Sequence, residues 1–401
     1  MELQAYSSIV AEYVWIDGNG GLRSKIKILG QQISSNDNKY LPITLATFPE
    51  WNFDGSSTGQ SETRNSDLML RPVYFCNSPF NQTAGILQFL VLCEVVGLLK
   101  QASFAGAVPL QSGHPSNHYR ELLPIYEATK DSCAWFGIEQ EYILLDKNGE
   151  LLDKQLVNTS LRDYNPNQHY CSVGTGRALG RRIALEHMRC CLNAGLAICG
   201  INSEVTPSQW EFQIGPIDAL NVSHQLWIAR YILIQVAEQH NVIVSFHPKP
   251  FAHLNGSGAH TNFSTVEMRA PGGISAIHTA IQKLSKTHPA HIAVYGQHNE
   301  LRLTGTNETA NIATFSYGNC DRGSSIRIPV NVVANGCGYL EDRRPAANCD
   351  PYQVCRMLLA TIVSGNPSGQ VAEQIAPSRM CVSTNPSGQV ADNIGPMPSN
   401  G

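Results

Sequence analysis

Apolar and polar residues alternate along much of the first hundred residues, and this period of two predicts β-strands. Residues 11–18 (AEYVWIDG) and 22–29 (LRSKIKIL) predict a hairpin around the glycine-rich turn at 19–21. Residues 89–95 (FLVLCEV) predict another short strand. The stretch 111–115 has the composition of a loop and is interpreted as a domain boundary.

The pattern changes after residue 114, because segments with helical spacing now alternate irregularly with strand-like segments. Helices are predicted at 119–130, 177–194 and 223–240. Strands are predicted at 135–145, 198–205, 209–215 and 242–250. Strands and helices without a regular βαβ rhythm indicate an α+β fold, and the absence of G-x-x-x-x-G-K-[ST] excludes a P-loop.

Composition narrows the class of protein. The chain has 401 residues, 42% of them hydrophobic and 15% charged, with a formal net charge of -4, so neither nucleic acid nor a membrane is expected as a partner. The most apolar segment, 84–99, is interrupted by Gln88 and Glu94, and no targeting peptide is visible at the start. The 12 cysteines include no C-x-x-C pair and are interpreted as reduced, buried thiols of a soluble intracellular protein.

The composition shifts again beyond residue 364, where proline, glycine, serine and asparagine dominate. The heptapeptide NPSGQVA occurs at 366–372 and again at 385–391. Such a segment buries little apolar surface, so it is predicted to be a flexible appendage outside the catalytic fold. A small interaction motif is the alternative.

Candidate chemistry begins with two acids in an apolar strand. Glu139 and Glu141 are two residues apart and therefore project from the same face. Two carboxylates on such a face repel each other unless a cation lies between them or the face is solvated. Glu204 and Glu211 flank the turn at 206–208 and are predicted to project from the two strands of a hairpin onto one face.

A histidine and a run of charges complete the set of candidates. His260 follows the glycine-rich loop 255–258, and Glu341 begins the run EDRR; a structural histidine and a surface salt-bridge run are the alternatives. Glutamates with one histidine favour Mg²⁺ or Mn²⁺ over Zn²⁺. Five arginines fit the binding of phosphate and the stabilisation of a transferred phosphoryl group: Arg302, Arg322, Arg327, Arg343 and Arg344.

The chain resembles the glutamine synthetases of the short eukaryotic type. The motifs that carry the resemblance are EWNFDGSSTGQ, NSD, WFGIEQEY, GINSEVTPSQWEFQIGP, HPKP, NGSGAHTNFST, RLTG, RGSSIRIP and EDRRPAANCDPY, in the order of the family. The resemblance implies a small β-grasp-like N-terminal domain at 9–110 and a larger catalytic domain at 114–363, followed by the tail at 364–401. It also implies a cytoplasmic homo-oligomer, a decamer of two pentameric rings with active sites shared between neighbouring subunits.

The reaction that the resemblance implies joins ammonia to the side-chain carboxylate of L-glutamate, with ATP as co-substrate and a γ-glutamyl phosphate intermediate. Residue by residue, Glu141, Glu204 and Glu211 match the ligands of one metal ion, and Glu139, His260 and Glu341 match those of the other. The residues that match the glutamate-binding positions of the family are Gly256, Arg302, Arg322 and Arg343, and Arg322 also matches a catalytic position. Nucleotide binding matches Trp135, Asn262, Ser264, Arg327 and Tyr339. Asp67, from a neighbouring subunit, matches the ammonium-binding aspartate, and Glu308 matches the acid of a flap.

Several positions depart from the family pattern. His253-Leu254 replaces Asn-Trp near the glutamate pocket, and Asn307 replaces the flap histidine. Ser172 replaces a glycine in the segment 168–174, and His224 replaces an aspartate; the segment 96–115 also differs. Two alternative functions stay open: a ligase of the same chemistry that uses another amine or acid, and a non-catalytic structural paralogue. A guanidino kinase lacks the EWNFDGSS segment and is disfavoured.

Overall fold

The structure is a computed structural model, and it describes residues 8–30, 41–64, 66–80, 85–98, 111–152 and 169–365. All of these residues fall within the compact unit that ends at Gly369. The predicted tail, with both copies of NPSGQVA, lies outside the described residues except for Ser364 and Gly365. Gln168 of the divergent segment and most of the divergent stretch 96–115 also lie outside them.

Residues 8–113 include a mixed β-sheet with the strand order β2-β1-β5-β4-β3, and β6 pairs with β5. Its strands are β1 (Ser8–Ile16), β2 (Leu22–Gly30), β3 (Trp51–Asp54), β4 (Asp67–Asn77), β5 (Ile86–Leu98) and β6 (Gln111–Gly113). Strands β1 and β5 run parallel, and the other pairs are antiparallel.

The predicted hairpin is confirmed, because β1 and β2 pair antiparallel from Ser8↔Gly30 to Ile16↔Leu22. The predicted strand at 89–95 lies within β5. The interpretation of 111–115 as a loop is wrong for its first three residues, which form β6 and pair with the end of β5. Their sequence, QSG, carries no apolar alternation, so only the neighbouring strand reveals them.

The second sheet has the order β12-β13-β14-β11-β7-β9-β8, with β10 paired to β7. Its strands are β7 (Trp135–Leu145), β8 (Ile198–Ser203), β9 (Gln209–Ile217), β10 (Ile243–Ser245), β11 (Ala259–Ser264), β12 (Tyr317–Asn319), β13 (Ile326–Ile328) and β14 (Leu340–Asp342). The predicted strand at 242–250 is correct for only three residues, because Pro248 and Pro250 cannot donate ladder hydrogen bonds.

Helices cover the second sheet, and together the two sheets and these helices confirm an α+β fold. They are α1 (Tyr119–Thr129), α2 (Arg181–Asn193), α3 (Ala219–Gln239), α4 (Val266–Arg269), α5 (Ile274–Lys286), α6 (His288–Ile292), α7 (Val330–Asn335) and α8 (Pro351–Leu358). Helix α3 begins four residues before the prediction, because the Asp218 carboxylate caps it by accepting from Leu220 N and Asn221 N. Helix α2 begins later than predicted, after Gly180 at φ 80°.

The strands of the first sheet contribute to two cores, because successive side chains point to opposite faces. Val14 and Ile16 of β1 join the large core under the second sheet and its helices. Tyr13 and Trp15, on the other face of β1, belong to a smaller core confined to the first sheet. One face of the first sheet therefore packs in the same core as the second sheet and its helices.

The cysteines are only partly as expected. All eleven cysteines in the described part of the chain are free. The expectation that each is buried is wrong for Cys133, Cys171, Cys199 and Cys320, which are exposed, because they lie in turns or at sheet edges. Among the described residues, no helix combines the length and the apolar character needed to cross a lipid bilayer.

Candidate active site

The central strand β7 carries acids on one face and an anchor on the other. Glu139 and Glu141 share a face, as their spacing predicted. Gln140 points to the opposite face, where its side-chain oxygen accepts from Nε (2.9 Å) and one terminal nitrogen (2.6 Å) of Arg230. Both Gln140 and Arg230 are buried. This contact anchors the middle of β7 on the long helix α3 and so fixes the positions of the two glutamates on the opposite face.

One group of three metal-ligating side chains, here called triad 1, consists of Glu139, His260 and Glu341. Strand register assembles it, because Glu139 lies opposite His260 on β11, and β14 with Glu341 pairs with the other edge of β11. Nδ1 of His260 lies 3.6 Å from a carboxylate oxygen of Glu139 and 3.8 Å from one of Glu341. Glu341 is buried, so the alternative of a surface salt-bridge run is wrong.

A second group, triad 2, consists of Glu141, Glu204 and Glu211. Glu141 and Glu211 are direct partners in the β7–β9 pair, and Glu204 follows β8 at the predicted turn, where its N–H donates to the carbonyl of Gln209. In both triads, one ligand atom from each residue lies within 4.8 Å of the others. The structure thus brings together all six predicted metal-ligating residues as two sets of three.

Burial makes triad 2 unfavourable without a cation. Burial, followed by repulsion from Glu204, raises the pKa of Glu141 to about 8. Burial and then repulsion from Glu211 raise the pKa of Glu204 to about 8, and the pKa of Glu211 is raised well above its ordinary value. A divalent cation between the carboxylates removes both causes. The donor set of five carboxylates and one imidazole therefore fits a hard cation such as Mg²⁺ or Mn²⁺.

The imidazole of triad 1 is held ready as a ligand. Burial and then the charge of Arg343 hold the pKa of His260 well below its ordinary value, so the ring is neutral at pH 7. A neutral imidazole nitrogen is the form that binds a metal. One carboxylate of triad 1 also contacts arginines, since Glu341 accepts from Arg327 (2.5 Å) and from Arg343 (2.7 Å).

The predicted arginines lie around the triads in different ways. Arg302 is buried, and one of its terminal nitrogens donates to the carbonyls of residues 343, 344 and 345 at 2.8–3.1 Å. Arg343 is also buried, and its Nε donates to the carbonyl of Arg322 (3.1 Å). Arg322 itself is exposed and lines the site. Arg344 does not belong to the site, because it is fully buried in an ion pair with Asp342.

Two cavities meet at triad 1. A polar cavity of about 470 Å³ is lined by both triads except for Glu341, together with Glu308, Arg322, Arg327, Arg343 and other residues. A largely apolar cavity of about 380 Å³ is lined by Trp135, Asn262, Ser264, Tyr339 and neighbouring residues. Glu139 and Gln213 line both cavities. One site therefore offers a charged compartment next to one that accepts a flat, apolar group.

Arg269 is a residue of the apolar cavity that sequence reasoning missed. Its guanidinium carbon lies 4.0 Å from the ring centroid of Trp135, and one terminal nitrogen donates to Oγ of Ser264 (2.8 Å). The other terminal nitrogen donates to the carbonyl of Cys133 (2.7 Å). Arg269 thus ties together two of the predicted nucleotide-binding residues. Its place in a four-residue helix gives no pattern in sequence that could have singled it out.

Two of the remaining predicted residues, Gly256 and Glu308, lie in loops. Gly256 approaches its neighbours so closely that a Cβ there would lie 2.5 Å from the carbonyl oxygen of Pro248 and 2.6 Å from Cγ of Arg302. Glu308 lines the cavity from an exposed loop in which Asn307 and Glu308 have φ values of 52° and 60°. Two successive non-glycine residues in the left-handed region indicate a strained turn at this rim.

Asp67 is not brought to the cavity within one chain. It lies at the exposed start of β4 in the first sheet, directly opposite Asp54 of β3, and the residues lining the polar cavity do not include it. Sequence reasoning missed Asp54. The Asp54 carboxylate accepts from N (3.0 Å) and Oγ (2.7 Å) of Ser56 and from Oγ of Ser57 (2.6 Å). These hydrogen bonds hold the pKa of Asp54 well below its ordinary value.

The departures from the family pattern have distinct surroundings. Leu254 is buried and His253 is exposed, next to the loop that holds Gly256. The N–H of Ser172 donates to Oγ of Ser203 (3.2 Å), which is the last residue of β8 and directly precedes Glu204. His224 is buried, stacks on Tyr74 with a centroid distance of 5.3 Å, and shares a hydrogen bond of 2.8 Å with the hydroxyl of Tyr352. None of these residues belongs to a triad.

A mainly antiparallel sheet that carries two potential cation-binding triads beside arginines and an apolar cavity is typical of enzymes that act on phosphate groups. The family model described as "Glutamine synthetase, catalytic domain" matches residues 117–386. The chain therefore belongs to the glutamine synthetase family, which confirms the resemblance drawn from its motifs.

Curated relatives extend this likeness to most of the chain. A glutamine synthetase of Tuber borchii is 47% identical over 368 residues, which is 91% of this chain and 95% of the relative. Those of Kluyveromyces lactis and Saccharomyces cerevisiae are 46% and 45% identical over 367 residues, in both cases 90% of this chain and 91% of the relative. A solved structure described as apo GmaS without ligand has a TM-score of 0.63 at 19% identity and covers 91% of this chain and 79% of that one. This last likeness concerns the fold.

Proposed function

We propose that this chain makes glutamine by joining ammonia to the side-chain carboxylate of L-glutamate at the expense of ATP. The observation that carries the proposal is the convergence of two cation-binding triads at the junction of a polar and an apolar cavity, in a chain of this family. ATP, glutamate and ammonium are its substrates.

The two triads have different partners in this proposal. Triad 1 would hold one Mg²⁺ or Mn²⁺ ion on the side of the ATP phosphates, and triad 2 would hold a second ion on the side of glutamate. When bound, these ions neutralise the negative charge of the ATP phosphates and of the glutamate carboxylates. The adenine and ribose occupy the apolar cavity against Trp135, Asn262, Ser264 and Tyr339, and Arg327 contacts a phosphate.

Glutamate lies in the polar cavity. Gly256 lies in the loop that meets the amino acid group, and its lack of a side chain lets the Pro248 carbonyl and the Arg302 side chain pack against this loop. Arg302 and Arg343 bind the glutamate carboxylates, and both are pre-oriented by hydrogen bonds to main-chain carbonyls. Arg322, which is exposed on the cavity wall, stabilises the phosphoryl group as it moves from ATP to the γ-carboxylate and forms γ-glutamyl phosphate.

Two acids handle water and protons. Glu308 closes over the acyl phosphate and keeps water out, because the intermediate would otherwise hydrolyse. Asp67 binds ammonium and helps to remove its proton, so that neutral ammonia can attack the acyl carbon and displace phosphate. Asp54 is a second candidate for this role, because its carboxylate lies next to Asp67 in the β3–β4 pair.

The position of Asp67 supports a site that is shared between subunits. Asp67 does not line the polar cavity of its own chain, so a neighbouring copy supplies it. The exposed apolar residues Ile26 and Ile28 on the edge strand β2 are consistent with assembly. We propose a homo-oligomer, a decamer of two pentameric rings, in the cytoplasm.

The decisive experiment measures phosphate released from ATP with glutamate, Mg²⁺ or Mn²⁺, and either ammonium or one of a panel of primary amines. Release that depends on ammonium and is matched by glutamine in equal amount supports the proposal. Faster release with an organic amine would instead indicate a ligase of the same chemistry for that amine. No release with any nucleophile, from a chain that still binds ATP, would indicate a non-catalytic paralogue.

A further inference from the structure

The carboxylates of triad 2 are held by side-chain amides that no motif predicted. Oε1 of Glu211 accepts from Nε2 of Gln213 at 2.6 Å. Oε2 of Glu141 accepts from the N–H of Gly258 at 2.7 Å and from Nε2 of Gln209 at 3.3 Å. In each of these two glutamates, which face each other across β7 and β9, the described donors engage one carboxylate oxygen and leave the other open.

Side-chain amides also donate to the other two glutamates on this face, Glu204 and Glu139. Oε1 of Glu204 accepts from Nδ2 of Asn202 at 2.8 Å, and a main-chain N–H reaches its other oxygen at 3.3 Å. Gln213 also donates to Oδ1 of Asn202 at 3.4 Å, which links two of the amides. In triad 1, Oε1 of Glu139 accepts from Nδ2 of Asn262 at 2.9 Å. Four glutamates therefore each contact one carboxamide.

The space for one of these amides is set by a glycine. Gly200 of β8 pairs with Gln213 of β9. A Cβ at position 200 would lie 2.4 Å from Oε1 of Gln213 and 3.1 Å from its Cδ. Because Gly200 has no side chain, the amide of Gln213 can lie flat over β8 and reach Glu211. The position of this amide is thus a property of two strands and not of one flexible side chain.

We propose that Gln213 and Gln209 position the carboxylates of Glu211 and Glu141 so that each presents one oxygen to the cation, while Asn202 holds the carboxylate of Glu204. Ca²⁺ takes six to eight oxygen ligands and often binds a carboxylate through both oxygens, whereas Mg²⁺ takes six at short distances and keeps several waters. Occupying one oxygen of Glu141 and one of Glu211 disfavours binding through both oxygens and permits binding through one. These amides are positioning residues that select a small cation, and this inference rests on the proposed function of triad 2.

A merely structural role for the amides predicts a different result. Buried carboxamides generally need partners, and their loss lowers stability whether or not an ion is bound. Gln60 serves as the control, because it is buried in the segment between β3 and β4 and its Nε2 donates to the carbonyl of Ile16 (3.1 Å) and to Oγ of Ser116 (2.8 Å). Replacing Gln60 removes an equivalent amide far from any triad.

The experiment titrates the whole chain with Mn²⁺ and separately with Ca²⁺ by calorimetry, and follows free Mn²⁺ by electron paramagnetic resonance. The unaltered chain, Gln213→Met, Gly200→Ala and Gln60→Met are compared. We expect the unaltered chain and Gln60→Met to prefer Mn²⁺ over Ca²⁺. In Gln213→Met, one of the two Mn²⁺ sites should weaken by about 10- to 100-fold, with a smaller loss for Ca²⁺, so that the preference falls. Gly200→Ala should change the preference in the same direction, because the new methyl group displaces the amide.

Two results would overturn the inference. The first is an unaltered chain that binds Ca²⁺ as tightly as Mn²⁺. The second is a Mn²⁺ to Ca²⁺ ratio in Gln213→Met, or in Gly200→Ala if the former does not fold, that equals the ratio of Gln60→Met. An unaltered chain that binds no divalent cation would contradict the proposed function itself, whereas bound Mn²⁺ with unchanged ratios contradicts only the role of the amides.

Discussion

The acids of the second sheet lie crowded on a buried face, whereas Asp54 and Asp67 of the first sheet lie exposed at one edge. The acids of triad 2 have raised pKa values because they are buried and face one another, and a divalent cation would compensate for both effects. The pKa of Asp54 is instead lowered by the hydrogen bonds that it accepts in its own turn. Crowded carboxylates therefore mark a place that can hold a metal ion within one chain. The exposed carboxylates have no such crowding, and in the proposed oligomer they are available to a neighbouring copy.

The largest effect is expected at the rim of the polar cavity. Glu308→Ala should lower the rate of glutamine formation by about 10²- to 10⁴-fold, because the intermediate loses both its acid and its cover. ATP binding should stay within about twofold of the unaltered chain, since Glu308 does not line the apolar cavity. Rates are measured as glutamine formed, and Glu300→Ala, another exposed acid nearby, serves as the control. Equal synthetic rates in Glu308→Ala and in the control would reject the role of this acid.

The next effect is the gain in stability on Mn²⁺ binding, which should depend on the acids of the second sheet and not on those of the first. At a free Mn²⁺ concentration 100 times the dissociation constant of a site, binding should raise the free energy of unfolding by about 2.7 kcal/mol, and chelation should remove this gain. Asp67→Ala should gain as much as the unaltered chain, while Glu211→Gln should gain less. Thermal unfolding with and without Mn²⁺ measures these differences. A loss of the gain in Asp67→Ala would show that the two regions do not act separately.

A smaller effect is expected for the acids of the first sheet. Asp67→Ala should raise the apparent KM for ammonium by about 10-fold or more, because a charged hydrogen bond to ammonium is lost. Asp54→Asn, measured in parallel, decides which of the two neighbouring acids carries more of this contact. Steady-state rates over a range of ammonium concentrations provide both values. An unchanged KM in both variants would argue that neither acid binds the nucleophile.

The smallest effect at neutral pH concerns the contact between the two regions. Burial lowers the pKa of His224 from 6.5 to about 4, so the folded chain binds this proton less readily than the unfolded chain. His224 therefore destabilises the fold progressively as the pH falls from about 6.5 towards 4, by up to about 1.4 kcal/mol per pH unit. His224→Phe keeps the stacking on Tyr74 and should flatten this slope relative to the unaltered chain. Parallel slopes in urea unfolding at pH 7, 6 and 5 would refute the assignment.

Much of the second sheet could be predicted from the sequence because its information is local. Alternation in β7 places Glu139 and Glu141 on one face, and the turn at 206–208 places Glu204 and Glu211 on a hairpin. The resemblance then supplied the division into two triads, which the coordinates reproduce as two groups of neighbouring side chains. Strand period and turn chemistry act over a few residues, so both can be read along the chain.

The positions that the sequence did not reveal depend on contacts between distant segments. Gln213 acquires its place from Gly200, and Arg269 acquires its place from Trp135 and Ser264. Asp54 was overlooked because its importance comes from standing opposite Asp67 in a strand pair. Strand β6 has no apolar period of its own and forms only because β5 offers an unpaired edge. In each case the position depends on a neighbour that is distant in sequence, so no local pattern predicts it.

The most direct test of the account is the number of Mn²⁺ ions bound per chain, measured by equilibrium titration with magnetic resonance detection of the free ion. The two groups of three ligands predict two ions in the unaltered chain and one in Glu211→Gln. Two ions retained in that variant, or no bound ion in the unaltered chain, would contradict the assignment of these six side chains as ligands.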